Sequence, residues 1–336
     1  MTISIDKIIK AIEDAESYGL VKDTENDILT GYSGEKLMGT LQRLSSLFSE
    51  EKDVCYLEVG VYQGLTLLST ANVCHHLPCY GIDNFSLDPE KKNFSIVSER
   101  IKKLGLTNVG IINQDYEDAL QDLETYIGHQ KIGVYFVDGP HDYRSQLMCL
   151  QLVMPYLHEN AVIIVDDSNY RHVRQANRDF LVTHPKFKLA FEAYAPCHPS
   201  NMPPAQQEET RKSWWNGVNI LVRDIGQELQ PMFPPTERSR NLYENEHIIH
   251  ASYLGELTPQ LLYFIHHIYN EYYLKDQDFD LERVSDCLSK FDVLFGNIKL
   301  YLEQQKRLGK QLYVSMNTFS EYLPSPNYNR PRNVKS

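Results

Sequence analysis

The chain has 336 residues, 42% hydrophobic and 23% charged, with a formal net charge of -12. That length suits one core with appendages, and the composition is that of an ordinary soluble globular protein. The negative balance opposes a large phosphate-binding surface, so DNA or RNA is not expected as a substrate, while a small anionic one stays open. Ile5, Ile8, Ile9 and Ile12 fall at i, i+3, i+4, i+7 and predict a first helix stopping near Gly19. Leu37, Leu41, Leu44 and Leu47 predict a second from about Gly34 to Phe48, so residues 1–50 read as a helical cap.

From Val54 the rhythm changes to short β-rich runs alternating with helical segments. Strands are predicted at Cys55–Val59, Cys79–Ile82, Val109–Asn113, Gly133–Val137, Ala161–Val165, Lys188–Ala193 and Val218–Val222. Helical patterns fill the first five gaps, which gives an α/β fold with a doubly wound, seven-stranded, mostly parallel sheet over residues 51–226. The last strand should return antiparallel. The polar, proline-rich excursion before it, 196–216, ends in Trp214-Trp215 and reads as a lid loop or as tryptophans that only pack on the core. Residues 227–323 read as a C-terminal helical extension. It has a helix start at Thr258-Pro259 and helical spacing from Leu281 to Leu302, and its face suits homodimerisation or closure over the site. His247, His250, His266 and His267 read as ordinary helix histidines, and the end from Pro324 reads as disordered.

No run approaches a membrane-spanning length and the N-terminus lacks a signal-peptide core, so a cytoplasmic protein with no membrane partner is expected. Cys55, Cys74, Cys79, Cys149, Cys197 and Cys287 form no C-x-x-C pair and mostly sit in apolar runs, as buried thiols do in a reducing compartment. Cys74-His75-His76 with Cys79 looks like a soft metal cluster, but a helix end running into a strand accounts for it better.

Chemistry concentrates at the strand ends, because a parallel sheet brings the carboxyl ends of neighbouring strands to one rim. The fourth strand ends in Asp138-Gly139-Pro140-His141 and the fifth in Asp166-Asp167. Three carboxylates and an imidazole at one spot suit a hard divalent cation with a base beside it. Each pair also has a plainer role, Asp166-Asp167 as a helix cap and Asp138-Gly139-Pro140 as a turn. The first strand ends in Glu58-Val59-Gly60-Val61-Tyr62-Gln63-Gly64, which is not the pyrophosphate fingerprint G-x-G-x-x-G. Close backbone approach at Gly60 and Gly64, with Glu58 facing an ammonium group, suits a cationic, phosphate-free ligand. Tyr62 lies inside that turn. Asp83 ends the second strand, where an acid takes both hydroxyls of a ribose, and Asp115-Tyr116 ends the third, with the tyrosine placed to stack on an adenine.

Over residues 54 to 224 these motifs resemble class I S-adenosylmethionine-dependent methyltransferases, most of all the metal-dependent sugar O-methyltransferases of the macrocin and mycinamicin type. The E-x-G-x-x-x-G pattern is matched by Glu58, Gly60 and Gly64, the acid after strand two by Asp83, and D-G-x-H-x-Y by Asp138, Gly139, His141 and Tyr143. The paired acids after strand five are matched by Asp166 and Asp167. The resemblance implies a Rossmann-like fold and S-adenosylmethionine bound by Glu58, Gly60, Tyr62, Gly64, Asp83, Asp115 and Tyr116. It also implies Mg²⁺, or Mn²⁺, on Asp138, Asp166 and Asp167, with His141 as general base. The acceptor it implies is a hydroxylated small molecule such as a glycoside, polyketide or other secondary metabolite. Two further readings stay open: a metal-independent N- or C-methyltransferase, and a non-catalytic cofactor-binding subunit.

Overall fold

In the computed structural model, which describes residues 3–23, 28–86, 92–236, 262–263, 266 and 326–331, the chain opens with two helices. Helix α1 (Ile5–Tyr18) starts at Ser4, whose side chain accepts the Lys7 N–H, and ends at Gly19 with φ 62°. The serine satisfies an N–H that a helix start leaves open, and glycine takes the positive φ without steric penalty. Helix α2 (Glu35–Phe48) buries Leu37, Leu41, Leu44 and Phe48 completely. Each such side chain contributes about 1.5–3 kcal/mol.

Strands and helices then alternate: β1 (Val54–Val59), α3 (Leu65–Ala71), β2 (Cys79–Ile82), α4 (Asn93–Leu104), β3 (Val109–Ile112), α5 (Tyr116–Gln121), α6 (Glu124–Ile127), β4 (Lys131–Val137), α7 (Tyr143–Leu152), β5 (Leu157–Val165), α8 (Arg171–Thr183), β6 (Phe187–Ala193), α9 (Pro204–Arg211), β7 (Val218–Arg223) and β8 (Asn327–Tyr328). They form one sheet in the order β3-β2-β1-β4-β5-β7-β6-β8. The first five strands are parallel to one another, and β7 runs antiparallel to both β5 and β6, as expected of the returning strand. Successive strand residues alternate between two apolar clusters. Tyr56, Val134, Phe136, Val162 and Ile164 join Ile12, Leu37, Leu67 and Val97 on one face. Leu57, Tyr135, Val137, Ile163 and Val165 join Leu120, Cys149, Leu150 and Phe180 on the other. A sheet buried on both faces needs near-continuous apolar strands, which is what the sequence carries.

The strand order reverses between β1 and β4, so the turns that follow β1, β2, β4 and β5 share the crevice where such sheets hold ligands.

Two expectations are corrected, and the chain divides into two units. The sheet has eight strands, because the tail expected to lack structure adds β8 against β6. There Asn327 donates to Glu192 (3.0 Å), and the Asn329 side chain donates to the carbonyls of Leu189 and Gln230 at 2.9 and 2.8 Å. Asparagine side chains do this docking without any apolar period. The excursion expected as a lid loop is instead a short 3-10 turn (Pro199–Asn201) followed by α9, and it is fastened to the N-terminal helices. Trp214, 4% exposed, donates to Glu16 at 2.6 Å and packs 4.8 Å from the Phe191 ring, so it packs on the core. Finally, residues Arg238–Ser315 form a unit of their own, while Met1–Glu237 and Met316–Ser336 together form the other. Everything above belongs to the latter. The helix start at Thr258, the run from Leu281, Cys287 and the expected dimer face lie outside the described residues. Among the described residues no helix is long and apolar enough to cross a membrane.

Candidate active site

The turn after β1 is shaped by glycine. Gly60 has φ 92°, and a Cβ there would lie 1.9 Å from the Asp138 carbonyl oxygen. Only a bare backbone brings the β1 and β4 turns so close. Gly64, φ 80°, is the residue before α3. Asp83 organises this turn: Oδ2 accepts the N–H groups of Val61 and Tyr62 at 2.9 and 2.7 Å, and Oδ1 accepts that of Phe85 at 2.6 Å.

Glu58 does not stand open to a ligand's ammonium as expected. It is fully buried, and its two oxygens accept the hydroxyls of Tyr56 (2.6 Å) and Thr66 (2.8 Å), tying β1 to α3. Burial pushes its carboxyl up to about 8, against the pull of those two hydroxyl donors. The folded protein therefore keeps a proton that the unfolded chain releases near 4.5, so stability falls as pH rises from about 4.5 to about 8. Asp138, raised to about 6 chiefly by burial, adds to the lower part of that window. Denaturant midpoints measured across this range should decline more gently in Glu58→Gln than in the wild type. Parallel slopes would show that Glu58 is ionised when folded. Tyr116 is packed inward: its ring is 9% exposed within the second apolar cluster and its hydroxyl donates to Glu117. Asp115 caps α5 through the Glu117 N–H (2.9 Å).

Asp138, His141 and Asp167 converge as expected, and each offers one donor atom within 4.8 Å of the others. His141 Nε2 lies 2.7 Å from Asp167 Oδ2 and 3.7 Å from Asp138 Oδ1. The shorter contact is a charge pair that lacks the alignment of a hydrogen bond. Burial disfavours the imidazolium, but Asp167 and Asp138 outweigh it and raise His141 to about 11. Burial likewise opposes the Asp167 anion, yet His141 and Asn216 hold that carboxyl below its ordinary range.

Asp166 does not join them. Its carboxylate is 3% exposed, accepts the Asp167 N–H at 2.8 Å, and is held well above the ordinary carboxyl range, first by burial and then by the charge of Asp138. Asp167, whose backbone is left-handed (φ 53°), is the one of the two whose carboxylate lies against His141. Among the described residues the Cys74, His75, His76 and Cys79 set forms no such group.

Three neighbours were missed by sequence reasoning. The Tyr170 ring stacks on His141 at 5.2 Å with an interplanar angle of 8°, and His198 lies 5.9 Å beyond it. Asn216 donates to Asp167 Oδ1 at 2.5 Å. Tyr170 follows Asp167 by three residues and is the one a search around the paired acids would find. His198 and Asn216 arrive from the excursion before β7.

A family model described as a methyltransferase domain matches residues 57–168, the stretch that holds every rim residue expected from the sequence. No curated protein sequence matches the chain significantly. Among solved structures, the chain is similar to an O-methyltransferase from Streptomyces achromogenes involved in tomaymycin synthesis, in complex with SAM (13% identity, 67% of this chain and 100% of that one, TM-score 0.42). It is also similar to the O-methyltransferase from Bacillus cereus in complex with SAH (13%, 66% and 92%, TM-score 0.40). A third is an SAH-bound methyltransferase from Podospora anserina (15%, 64% and 87%, TM-score 0.38). Residues 57–168, a third of the chain, are thus the stretch that matches the methyltransferase-domain family.

Proposed function

We propose that the methyltransferase domain of residues 57–168 takes a methyl group from S-adenosylmethionine and places it on a hydroxyl of a small molecule, such as a glycoside, polyketide or other secondary metabolite. In this reading Asp138 and Asp167 hold Mg²⁺, for which Mn²⁺ can substitute, and His141 is the base. The observation that carries it is the meeting of these three side chains at the ends of β4 and β5, where the backbone of Asp138 touches the glycine turn of β1, 1.9 Å from a Cβ at Gly60.

The donor set fits the ion. Two carboxylates drawn together at a strand rim are what a hard cation needs, and the imidazole stands within reach of both. S-Adenosylmethionine supplies the electrophilic methyl, and the metal supplies positive charge that acidifies a bound hydroxyl. The residues of the chain do the rest. Gly60 and Gly64 let the backbone approach the amino-acid end of the cofactor, Asp83 and Asp115 stand where ribose and adenine belong, and Tyr62 lines the same turn. His141 is charged while the two carboxylates face only it. Once they are shared with a cation the hold on its proton weakens, and the neutral ring can accept the proton of the acceptor hydroxyl. Tyr170, stacked flat on the imidazole, keeps it facing the rim.

Calorimetric titration of Mg²⁺ into protein saturated with S-adenosylhomocysteine tests the metal assignment. Asp138→Asn and Asp167→Asn should each remove binding, whereas Asp166→Asn should keep it. Turnover that survives a chelator would put the metal-independent N- or C-methyltransferase reading in its place.

A further inference from the structure

A cavity of about 740 Å³ opens outside the rim, between the ends of α1 and α2, the Tyr62 turn and α9. None of Asp83, Asp138, His141 or Asp167 lines it. We infer that this cavity is the subsite for one portion of the acceptor, a hydroxylated ring bearing an ammonium group. The inference rests on the reading above that the domain methylates a small hydroxylated molecule.

The first observation is Ser33. It lines the cavity, is 4% exposed, and its hydroxyl has no hydrogen-bond partner. A buried hydroxyl left without a partner costs about 1–3 kcal/mol, which a hydroxyl or amine of an occupant recovers once the serine side chain turns from its shielded rotamer toward the cavity. The second is the mouth. Tyr18, Tyr32 and Tyr62 all line it and stay 75%, 63% and 40% exposed, an unusual density of open aromatic rings for one spot. Tyr32 and Tyr62 lie 5.9 Å apart, and Trp215 lies 6.4 Å beyond Tyr32. Aromatic faces take the apolar face of a sugar-like ring and attract a cation held over them.

Charge selects among such rings. Among the described residues, Asp23, Glu35 and Glu208 line the cavity against one cation, Arg211, whose guanidinium lies 5.1 Å over the Trp215 ring. An ammonium group is favoured there, and a phosphate or carboxylate is opposed. The wall also leads to the chemistry. Trp215 precedes Asn216, which bonds Asp167, and Tyr62 lies two residues after Gly60, which touches the Asp138 backbone. Arg100 fastens the two walls by donating to the carbonyls of Thr30 (3.0 Å) and Gln63 (2.6 Å). In this proposal a ring held in the cavity presents a neighbouring hydroxyl to the rim.

The cofactor's amino-acid end also carries an ammonium group, so the test separates the two sources. D-Glucosamine, D-glucose and D-glucuronate are titrated into protein saturated with S-adenosylhomocysteine and followed by ligand-observed NMR. Glucosamine should bind most tightly and glucuronate least. Ser33→Ala should weaken glucosamine about 5–30-fold without lowering thermal stability, because that hydroxyl has no protein partner to lose. Glu35→Gln should shrink the preference for glucosamine over glucose. Equal binding of the three sugars, or no binding, overturns the proposal. So does a Ser33→Ala variant that loses affinity for S-adenosylhomocysteine instead, since the cavity would then hold the cofactor. If the wild type ignores S-adenosylhomocysteine yet ranks the sugars as stated, the subsite stands and the methyltransferase reading falls.

Discussion

Replacing His141 with alanine should lower the rate of methyl transfer by about 10²–10⁴-fold, the usual contribution of a positioned general base. Affinity for S-adenosylhomocysteine should hardly change, because His141 lies against the β4 and β5 turns and not in the glycine turn of β1. Thermal stability should fall, because the imidazolium that Asp167 and Asp138 hold charged is lost and their two carboxylates are left unpaired. Removing it leaves Asp138 and Asp167 facing each other, so Mg²⁺ should bind at least as well as before: an imidazolium no longer competes for the same oxygens. This opposite movement of rate and metal affinity separates a base from a ligand. A metal ligand lost to alanine would weaken both. Single-turnover rates at saturating cofactor and metal, set beside calorimetric Mg²⁺ affinities, decide it. A rate within tenfold of wild type would remove His141 from the proton-transfer step.

The sheet was legible because strands buried on both faces must be nearly all apolar, and their ends are then marked by the first polar residue. Cys79–Ile82 is placed to the residue. β5 begins four residues earlier than expected, at Leu157, because His158, Glu159 and Asn160 extend the strand with polar side chains that periodicity does not count. Asp138, His141 and Asp167 were legible for the same reason, since strand ends in a parallel sheet must share a rim. Asp166 could not be told from Asp167, as two adjacent acids at a strand end read alike. Glu58, Asp83 and Tyr116 follow the first three strands, yet their polar atoms already bond Tyr56, Thr66, three backbone N–H groups and Glu117. Partner choice of that kind is a property of the folded packing. The docking of Trp214 on Glu16, 198 positions apart, and of Asn327 on Glu192 leaves no local pattern at all.

Gly60→Ala should do the widest damage, because one methyl group would strike both halves of the site. At φ 92° an L-residue is strained by about 1–3 kcal/mol, and forcing a Cβ to 1.9 Å from a backbone oxygen adds overpacking of similar size. The oxygen belongs to Asp138, so relief requires either the β1 turn or the β4 turn to move. The first movement spoils the N–H groups of Val61 and Tyr62 that Asp83 holds, and the second shifts the Asp138 carboxylate away from Asp167. Affinity for S-adenosylhomocysteine and for Mg²⁺ should therefore fall together, with unfolding easier by about 2–6 kcal/mol. Gly105→Ala is the control: it has a similar positive φ of 64°, but a Cβ there meets nothing within 4 Å. Its penalty should stay near the conformational part alone, about 1–2 kcal/mol, with both affinities intact. Denaturant midpoints and calorimetry on the two variants measure this difference. If Gly60→Ala loses stability but keeps both affinities, the two turns are independent, and the contact at Gly60 is packing alone.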